Sequence, residues 1–355
     1  MKILFVSWRD LAHPLAGGSE VLVDRLATGL LDHGHQVSLL CGSPVAPRPY
    51  STRANGGRYS QYLRAPLAYL RRFRDFDLVV DVANGMPFFT PLWRRKPTLC
   101  LVNHLHTEQW SQWFPEPVAG MGRFLERDAM PWAYRRCLFV AVSRSTVASL
   151  EAIGVPAERI RIVHNGTDVG DVRHPKAPEP TFLFLGRLVP HKRADLLLRA
   201  WEQVRPQVGG RLVIAGSGPE AGRLSAMAGE GVELVGQVGE EEKHRLLSQA
   251  WLLLHPAMFE GWGLVVMEAA AAGTPTLAFR VRGLCDSVVH GGSGMLATSE
   301  ESFVDHWIAL AHDGELRDRL GSGARERARD FAWSSTVSTF LPVVEEAVGL
   351  ARPAR

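Results

Sequence analysis

Residues 251–272 read W-L-L-L-H-P-A-M-F-E-G-W-G-L-V-V-M-E-A-A-A-A. The apolar run Trp251 to His255 has the length of a buried strand, Pro256 stops it, and the small apolar residues after Gly263 read as a helix continuing to Ala272. A strand that enters a helix through a glycine-bearing turn is half of a parallel βα unit, and such sheets bind ligands at the carboxyl ends of their strands. Two carboxylates, Glu260 and Glu268, stand eight positions apart across that turn. Gly261 and Gly263 let the backbone come close to a ligand, and the N–H groups of Gly263, Leu264 and Val265 at the helix start suit a phosphate. Carboxylates accept hydrogen bonds from sugar hydroxyls, so the segment reads as a phosphate cradle between two hydroxyl clamps. A nucleotide-sugar fits that description. Each Glu taken alone has a plainer reading as a solvated helix cap or dipole partner; strand, glycines and small-residue helix together favour the ligand.

The same strand-then-helix alternation extends in both directions. Strands are expected at Lys2–Ser7, Gln36–Cys41, Asp77–Val82, Thr98–Asn103, Leu138–Ser143 and Arg159–His164, then at Thr181–Gly186, Arg211–Gly216, Val232–Val235, Trp251–His255 and Thr274–Phe279. Amphipathic segments separate most of them. Two such series imply two doubly wound, Rossmann-like α/β domains, and 355 residues exceed one ordinary core. H-P-K-A-P-E-P breaks both periodicities between Asp168 and Pro180, which sets the expected domains at 1–170 and 171–333, with a last helix in 334–355.

Hydrophobic residues make up 46% and charged residues 22%, as in a soluble globular protein. The opening M-K-I-L-F-V-S-W is too short an apolar run for a signal peptide and meets Arg9 and Asp10 at once, so a cytoplasmic location is expected. Cys41, Cys100, Cys137 and Cys285 lack metal-ligand spacing and are expected to be free and buried. The net charge of +3 divides into +7 for residues 1–165 and −4 for the remainder. The basic excess lies in Arg64–Arg74, Arg94–Lys96 and Arg123–Arg136, where it alternates with Leu, Phe, Trp and Tyr. Two readings stand for these stretches: contact with an anionic membrane or a phosphate-bearing acceptor, or solvated helix faces with the aromatics turned inward. Nucleic acid is not expected, because the charge is modest and no binding motif occurs.

Three further sites bear on chemistry. In L-F-L-G-R-L-V-P-H-K a buried strand is followed by Gly186, then by Arg187 and Lys192 around a proline turn. Two cations there would neutralise a diphosphate and stabilise it as a leaving group. Gly17-Gly18-Ser19-Glu20 closes the loop after the first strand, either as an anion or sugar turn or as a simple helix cap. Asn103-His104-Leu105-His106 ends the fourth strand, with Trp110, Trp113 and Phe114 following as acceptor-stacking or core residues. Arg187 and Lys192 are expected to do the work of a divalent ion on the diphosphate, so no metal is expected, and no cofactor beyond a nucleotide-diphosphate sugar co-substrate.

Taken together, G-G-S-E after the first strand, His104 after the fourth, Asn165-G-T-Asp168, G-R-x4-K at Gly186 to Lys192, G-S-G-P-E at Gly216 to Glu220 and E-x7-E at Glu260 to Glu268 resemble the retaining glycosyltransferases of family four. The resemblance runs over nearly the whole chain. It implies the GT-B fold, two doubly wound domains facing each other across a cleft, with the donor on the second domain and the acceptor on the first. It further implies that Arg187 and Lys192 hold the diphosphate, Gly263 to Val265 give backbone donors, Glu260 contacts the sugar, Glu268 binds the ribose, and the loop at Gly236 to Val238 faces the base. His104 would contact the sugar, Gly17 and Gly18 would approach the diphosphate, and the final helix would cross back to the first domain. Two departures stand out: His191-Lys192-Arg193 where many relatives have Glu-Lys-Gly, and Gly283-L-C-Asp286 where they carry Glu after G-L-P.

The expected reaction is metal-independent, retaining transfer of a hexose-type sugar from a UDP- or GDP-sugar to an acceptor hydroxyl, in envelope glycan or glycolipid synthesis. The acceptor would attack from the face the diphosphate leaves, and the leaving oxygen would take its proton. The acceptor would be a sugar, a lipid-linked glycan or a small molecule, with the protein cytoplasmic and in peripheral contact with the inner face of the membrane. The rival readings are a sugar-nucleotide epimerase of the same fold and a non-catalytic nucleotide-sugar-binding subunit. A nicotinamide dehydrogenase is disfavoured, because no G-x-G-x-x-G follows the first strand.

Overall fold

The computed structural model describes residues 1–57, 59–168 and 174–350. The expected boundary at 170/171 therefore lies outside the described residues. The chain groups into two compact units, Met1–Asn165 together with the segment from Trp333, and Gly166–Ala332.

Among the described residues, the first unit carries a parallel sheet of β1 (Lys2–Arg9), β2 (Gln36–Gly42), β3 (Ser51–Ala54), β4 (Leu78–Ala83), β5 (Thr98–Val102), β6 (Leu138–Ala141) and β7 (Ile160–Ile162), in the order β3-β2-β1-β4-β5-β6-β7. The second carries β8 (Thr181–Leu185), β9 (Arg211–Ala215), β10 (Val232–Gly236), β11 (Leu252–His255), β12 (Thr276–Phe279) and β13 (Gly294–Ala297), in the order β10-β9-β8-β11-β12-β13. In each sheet the chain winds outward one way from its first strand and then the other. The topological switch points fall between β1 and β4 and between β8 and β11, where Ile3 registers with Leu78 and Leu252 with Phe182.

The central strands read as continuous apolar runs because both faces are covered. In β8, Phe182 and Phe184 pack with Trp201, Leu212, Leu254 and Trp307 on one side of the sheet, while Leu183 and Leu185 pack with Val213, Leu253, Val266 and Ala269 on the other. Trp201 and Trp307 stack at 5.6 Å between ring centres. Helix Leu264–Ala271 is rich in alanine because helix Gly314–Arg329 lies hard against its end: a Cβ on Gly321 would come within 2.5 Å of the Gly273 carbonyl.

Helix Trp333–Leu350 packs on helix Gly18–Asp32, so closely that a Cβ on Gly29 would come within 2.4 Å of Val337. Arg161 donates to Glu346 at 2.9 Å and Thr336 to the His164 carbonyl at 2.9 Å. At the junction, Thr167 N–H donates to Phe331 O at 2.7 Å, which ties the entry of the second unit to its exit.

Several local expectations are corrected. Strands β3 and β13 went unread, the first because S-T-R-A is a largely exposed edge with no apolar run, the second because G-M-L-A is short and begins with glycine. That glycine is required: a Cβ on Gly294 would meet the Thr276 carbonyl at 2.2 Å. Strand β12 starts two residues later than expected, and Ser143, read as strand, instead caps helix Arg144–Ala152 by accepting from Thr146 N at 3.1 Å. Cys285 is exposed, whereas Cys41, Cys100 and Cys137 are buried as free thiols.

The basic stretches divide between their two readings. Tyr69 and Phe73 are buried, and Arg94 is buried too, donating to Tyr69 Oη and to the Phe76 and Asp77 carbonyls at 2.9–3.0 Å. In contrast, Leu63, Leu67 and Leu70 form an exposed stripe along helix Ser60–Arg72, and Phe124 and Trp132 are exposed among the arginines that follow. No helix among the described residues is long and apolar enough to cross a membrane.

Candidate functional site

The second unit concentrates its motifs at the carboxyl ends of the strands beside its switch point. β8 ends at Gly186 and Arg187, which is half-buried, and the chain then makes a tight helical turn, Pro190–Lys192. The G-S-G-P-E loop after β9 clamps this segment: Leu188 N–H donates to Ser217 O at 2.8 Å and Glu220 N–H to Leu188 O at 3.1 Å. Its glycines are imposed by that packing, since a Cβ on Gly216 would sit 1.8 Å from the Gly186 carbonyl and one on Gly218 2.3 Å from the Leu188 carbonyl. Gly236 is drawn in as well, its carbonyl accepting from Gly216 N at 2.7 Å, and nearby Val238 packs against the core.

Met258 N–H donates to the His191 carbonyl at 2.9 Å, joining the β11 loop to the turn after β8. Lys192 and Glu260 consequently form an ion pair, and both side chains are largely buried. The same carboxylate oxygen lies 3.1 Å from Nε2 of His255, the last residue of β11, which is 1% exposed. Burial is the largest influence on Glu260 and opposes its ionisation. Lys192 and His255 together outweigh it and hold the carboxyl well below the usual range. Burial first, then Lys192, lowers the proton affinity of His255 against the opposing pull of Glu260.

The turn beyond Glu260 is fixed from behind. Gly261 and Trp262 are buried, with Trp262 against Phe331 at 4.9 Å, and Gly263 takes φ +87° as the helix cap. Leu264 and Val265 follow, half-buried, with N–H groups of the first helical turn. A Cβ on Gly283, at φ +80°, would come within 2.2 Å of the Glu260 carbonyl, so the G-L-C-D loop forms the floor under Glu260. Glu268 pairs with Lys243 at 2.8 Å, and Lys243 reaches Glu240 at 2.7 Å as well. Burial works against the Lys243 charge, but Glu268 and Glu240 raise its proton affinity overall.

The departure at Arg193 has a physical reading. Arg193 adopts the left-handed conformation, φ 53° and ψ 38°, which glycine enters without cost. Here the guanidinium offsets that cost by pairing with Glu300 and lying 5.1 Å over the Phe279 ring.

In the first unit, Glu20 proves to be a cap. Its Oε2 accepts from Gly17 N–H at 2.7 Å, and its Oε1 from buried Arg9 Nε at 2.9 Å. Gly17 and Gly18 remain at the accessible start of the helix. Asn103 Nδ2 donates to Ser19 Oγ at 3.0 Å, so the G-G-S-E turn and the His104 loop are adjacent. The His104 ring is half-buried, 4.2 Å from that of His106.

Beneath this loop lies Glu126, 1% exposed, on the π-helical turn Leu125–Ala129. Its carboxylate accepts from His106 N–H at 2.7 Å, Thr107 Oγ1 at 3.3 Å and Trp110 Nε1 at 3.3 Å. Burial pushes Glu126 up to about 7 against those hydrogen bonds and the nearby His104. The Trp110 ring covers Gly122, where a Cβ would come within 2.3 Å, whereas Trp113 is exposed.

His255, Lys243 and Glu126 were not singled out from sequence. A histidine closing a buried strand five residues before Glu260 was a usable signal. Glu126 was hidden among surface-like arginines.

A family model described as Glycosyltransferase Family 4 matches residues 16–171, and one described as Glycosyl transferases group 1 matches residues 171–327. The chain belongs to the group 1, family-four glycosyltransferases. A D-inositol 3-phosphate glycosyltransferase of Nocardioides is 34% identical over 223 residues, covering 53% of this chain and 49% of that one. The chain thus spans about half the length of the curated relatives it matches. Among solved structures, sucrose-phosphate synthase of Thermosynechococcus elongatus superposes with a TM-score of 0.82 at 20% identity, covering 98% of this chain and 99% of that one. Anabaena HepE, solved with UDP and glucose, gives 0.79 at 17% identity over 98% and 100% of the two chains. These likenesses give this family-four chain the GT-B fold, and its E-x7-E carboxylates are the ones paired with Lys192 and Lys243.

Proposed function

We propose that the protein transfers a hexose-type sugar from a nucleotide-diphosphate sugar to an acceptor hydroxyl, with retention of configuration and without a metal ion. The observation that carries this reading is the Lys192–Glu260–His255 cluster beside Arg187 and the glycine turn at Gly261 and Gly263. It offers cationic charge for a diphosphate and an ionised carboxylate for sugar hydroxyls, side by side at a switch point. Arg187 and Lys192, with the N–H groups of Gly263 to Val265, hold the diphosphate and stabilise it as it leaves. Glu260 orients the sugar, Glu268 the ribose, and the loop through Val238 faces the base. The first unit takes the acceptor, with His104 and the Gly17–Gly18 turn as its contacts. The acceptor hydroxyl attacks from the face the diphosphate vacates, and a departing phosphate oxygen accepts its proton, so no protein nucleophile takes part.

The solved neighbour holding UDP and glucose supports a UDP-sugar donor, and the relatives named for inositol 3-phosphate support an acceptor bearing a phosphate. The exposed stripe of Leu63, Leu67 and Leu70, flanked by Arg64, Arg71 and Arg72, supports peripheral contact with an anionic membrane and a role in envelope glycan or glycolipid synthesis. Sedimentation with anionic vesicles at low and high salt tests the contact; no binding in either overturns it. Calorimetric binding of UDP, GDP, ADP and dTDP in chelator tests the donor site. One nucleotide should bind and weaken by roughly 1.5–3 kcal/mol in Lys192→Ala, the scale of a charge-assisted hydrogen bond. Binding that needs a divalent ion would refute the metal-free reading, and failure of all four nucleotides would refute the donor site.

A further inference from the structure

Lys192 has two anionic destinations. Its ammonium pairs with Glu260, and a bound diphosphate would claim the same ammonium. A carboxylate as enclosed as that of Glu260 cannot be left unpaired without a large desolvation penalty. A second partner is in place. His255 Nε2 lies 3.1 Å from the same oxygen, on a ring that is 1% exposed and anchored at the end of β11, so it cannot swing away as a lysine can. The charged groups acting on that ring are Lys192, from the turn after β8, and Glu260 itself. Arg187, Arg193, Arg280 and Glu268 lie on the neighbouring segments.

We propose that His255 is a positioning residue that keeps Glu260 oriented and hydrogen-bonded when the donor diphosphate draws Lys192 away. Donor binding is then an exchange of partners: Lys192 leaves Glu260 for phosphate, and the Nε2–H of neutral His255 continues to donate to the carboxylate. The inference rests on the proposed donor site and adds to it a residue outside G-R-x4-K and E-x7-E.

Exchange makes a prediction that a merely packed histidine does not. If Glu260 competes with the diphosphate for Lys192, Glu260→Gln should tighten the binding of UDP, which lacks a sugar, by roughly fivefold or more. If His255 lowers the cost of releasing Lys192, His255→Met should weaken UDP by about tenfold, while His255→Gln, which restores a donor at the Nε2 position, should recover most of the loss. In a Glu260→Gln background the carboxylate is gone, so His255→Met should change UDP affinity less than about twofold. Calorimetry on wild type, the single variants, the double variant and Lys192→Ala gives all these values, with inorganic pyrophosphate as a probe independent of the base. Circular dichroism checks that each variant is folded, and the tightening expected in Glu260→Gln carries the test if His255→Met is not. If wild type binds UDP and Lys192→Ala weakens it, yet Glu260→Gln fails to tighten it or His255→Met acts equally in both backgrounds, the exchange is refuted and the donor site survives. If wild type binds no nucleotide, donor site and exchange fall together.

Discussion

Replacing Glu126 by glutamine should stabilise the protein at alkaline pH and leave it unchanged or slightly weaker in acid. Burial moves this carboxyl from its ordinary 4.5 up to about 7. The native state therefore binds the proton more tightly than the unfolded chain does, and the associated stability is complete below pH 4.5 and lost as pH rises through 7. At 1.36 kcal/mol per pKa unit, the full loss is about 3 kcal/mol. Glutamine keeps the shape, and its carbonyl can still accept from His106 N–H, but its amide group opposes the Trp110 Nε1–H donor, a conflict that costs about 1 kcal/mol. The balance at pH 8 is a gain of about 2 kcal/mol, or a rise in melting temperature of about 4–8 °C for a unit of this size. At pH 5 the wild-type carboxyl is already largely protonated and the gain vanishes. Thermal unfolding followed by circular dichroism at pH 5 and pH 8 measures both. Parallel pH profiles for the two proteins would refute the reasoning, because they would mean that Glu126 titrates alike folded and unfolded.

Gly283→Ala should lose at least about 1–2 kcal/mol from the left-handed backbone alone. Its Cβ would also drive against the Glu260 carbonyl, so nucleotide affinity should fall with the melting temperature; a variant that melts lower but binds normally would show that the floor under Glu260 does not position it. Lys243→Met removes the ammonium 2.8 Å from Glu268. Calorimetry should then show altered affinity for UDP and unchanged affinity for inorganic pyrophosphate, and an equal effect on both would take Glu268 off the ribose. Gly29→Ala inserts a methyl group 2.4 Å from Val337 and should lower the melting temperature of the first unit, with helix Trp333–Leu350 becoming accessible to limited proteolysis; an unchanged digest would refute tight docking of that helix.

The sheets were legible because their inner strands are covered on both faces, which leaves uninterrupted runs such as F-L-F-L and L-L-L-H. The edge strands β3 and β13 were not, since they carry no such run, whereas the edges β7 and β10 were. The glycines of G-S-G-P-E were visible in sequence, but their reason was not: they exist to let one strand-end loop lie on another, and that contact is between segments thirty residues apart. Glu20 settles one open choice. The G-G-S-E turn allowed either an anion or sugar turn or a helix cap, and both Glu20 oxygens are committed to capping Gly17 and pairing Arg9, which only the packing of β1 beside helix Gly18–Asp32 reveals. Glu126 could not be read because a π-helical turn directs it inward from a stretch whose arginines face solvent.

Partnerships across the motifs were the least legible part. Lys192 and Glu260 are 68 residues apart and meet because β8 and β11 are neighbours; Lys243 and Glu268 meet because their helices pack side by side. A buried charge is tolerated only when paired, so if these carboxylates and cations receive phosphates and hydroxyls, as proposed, they also need internal partners. On the proposed reading, the Lys192–Glu260 pair does two things at once: it satisfies two buried charges and competes with the diphosphate. On that reading, removing Lys192 and removing its partner Glu260 should have opposite effects on diphosphate affinity. Ordinary loss-of-contact reasoning expects both to weaken it, and the sign of the Glu260→Gln effect separates the two accounts.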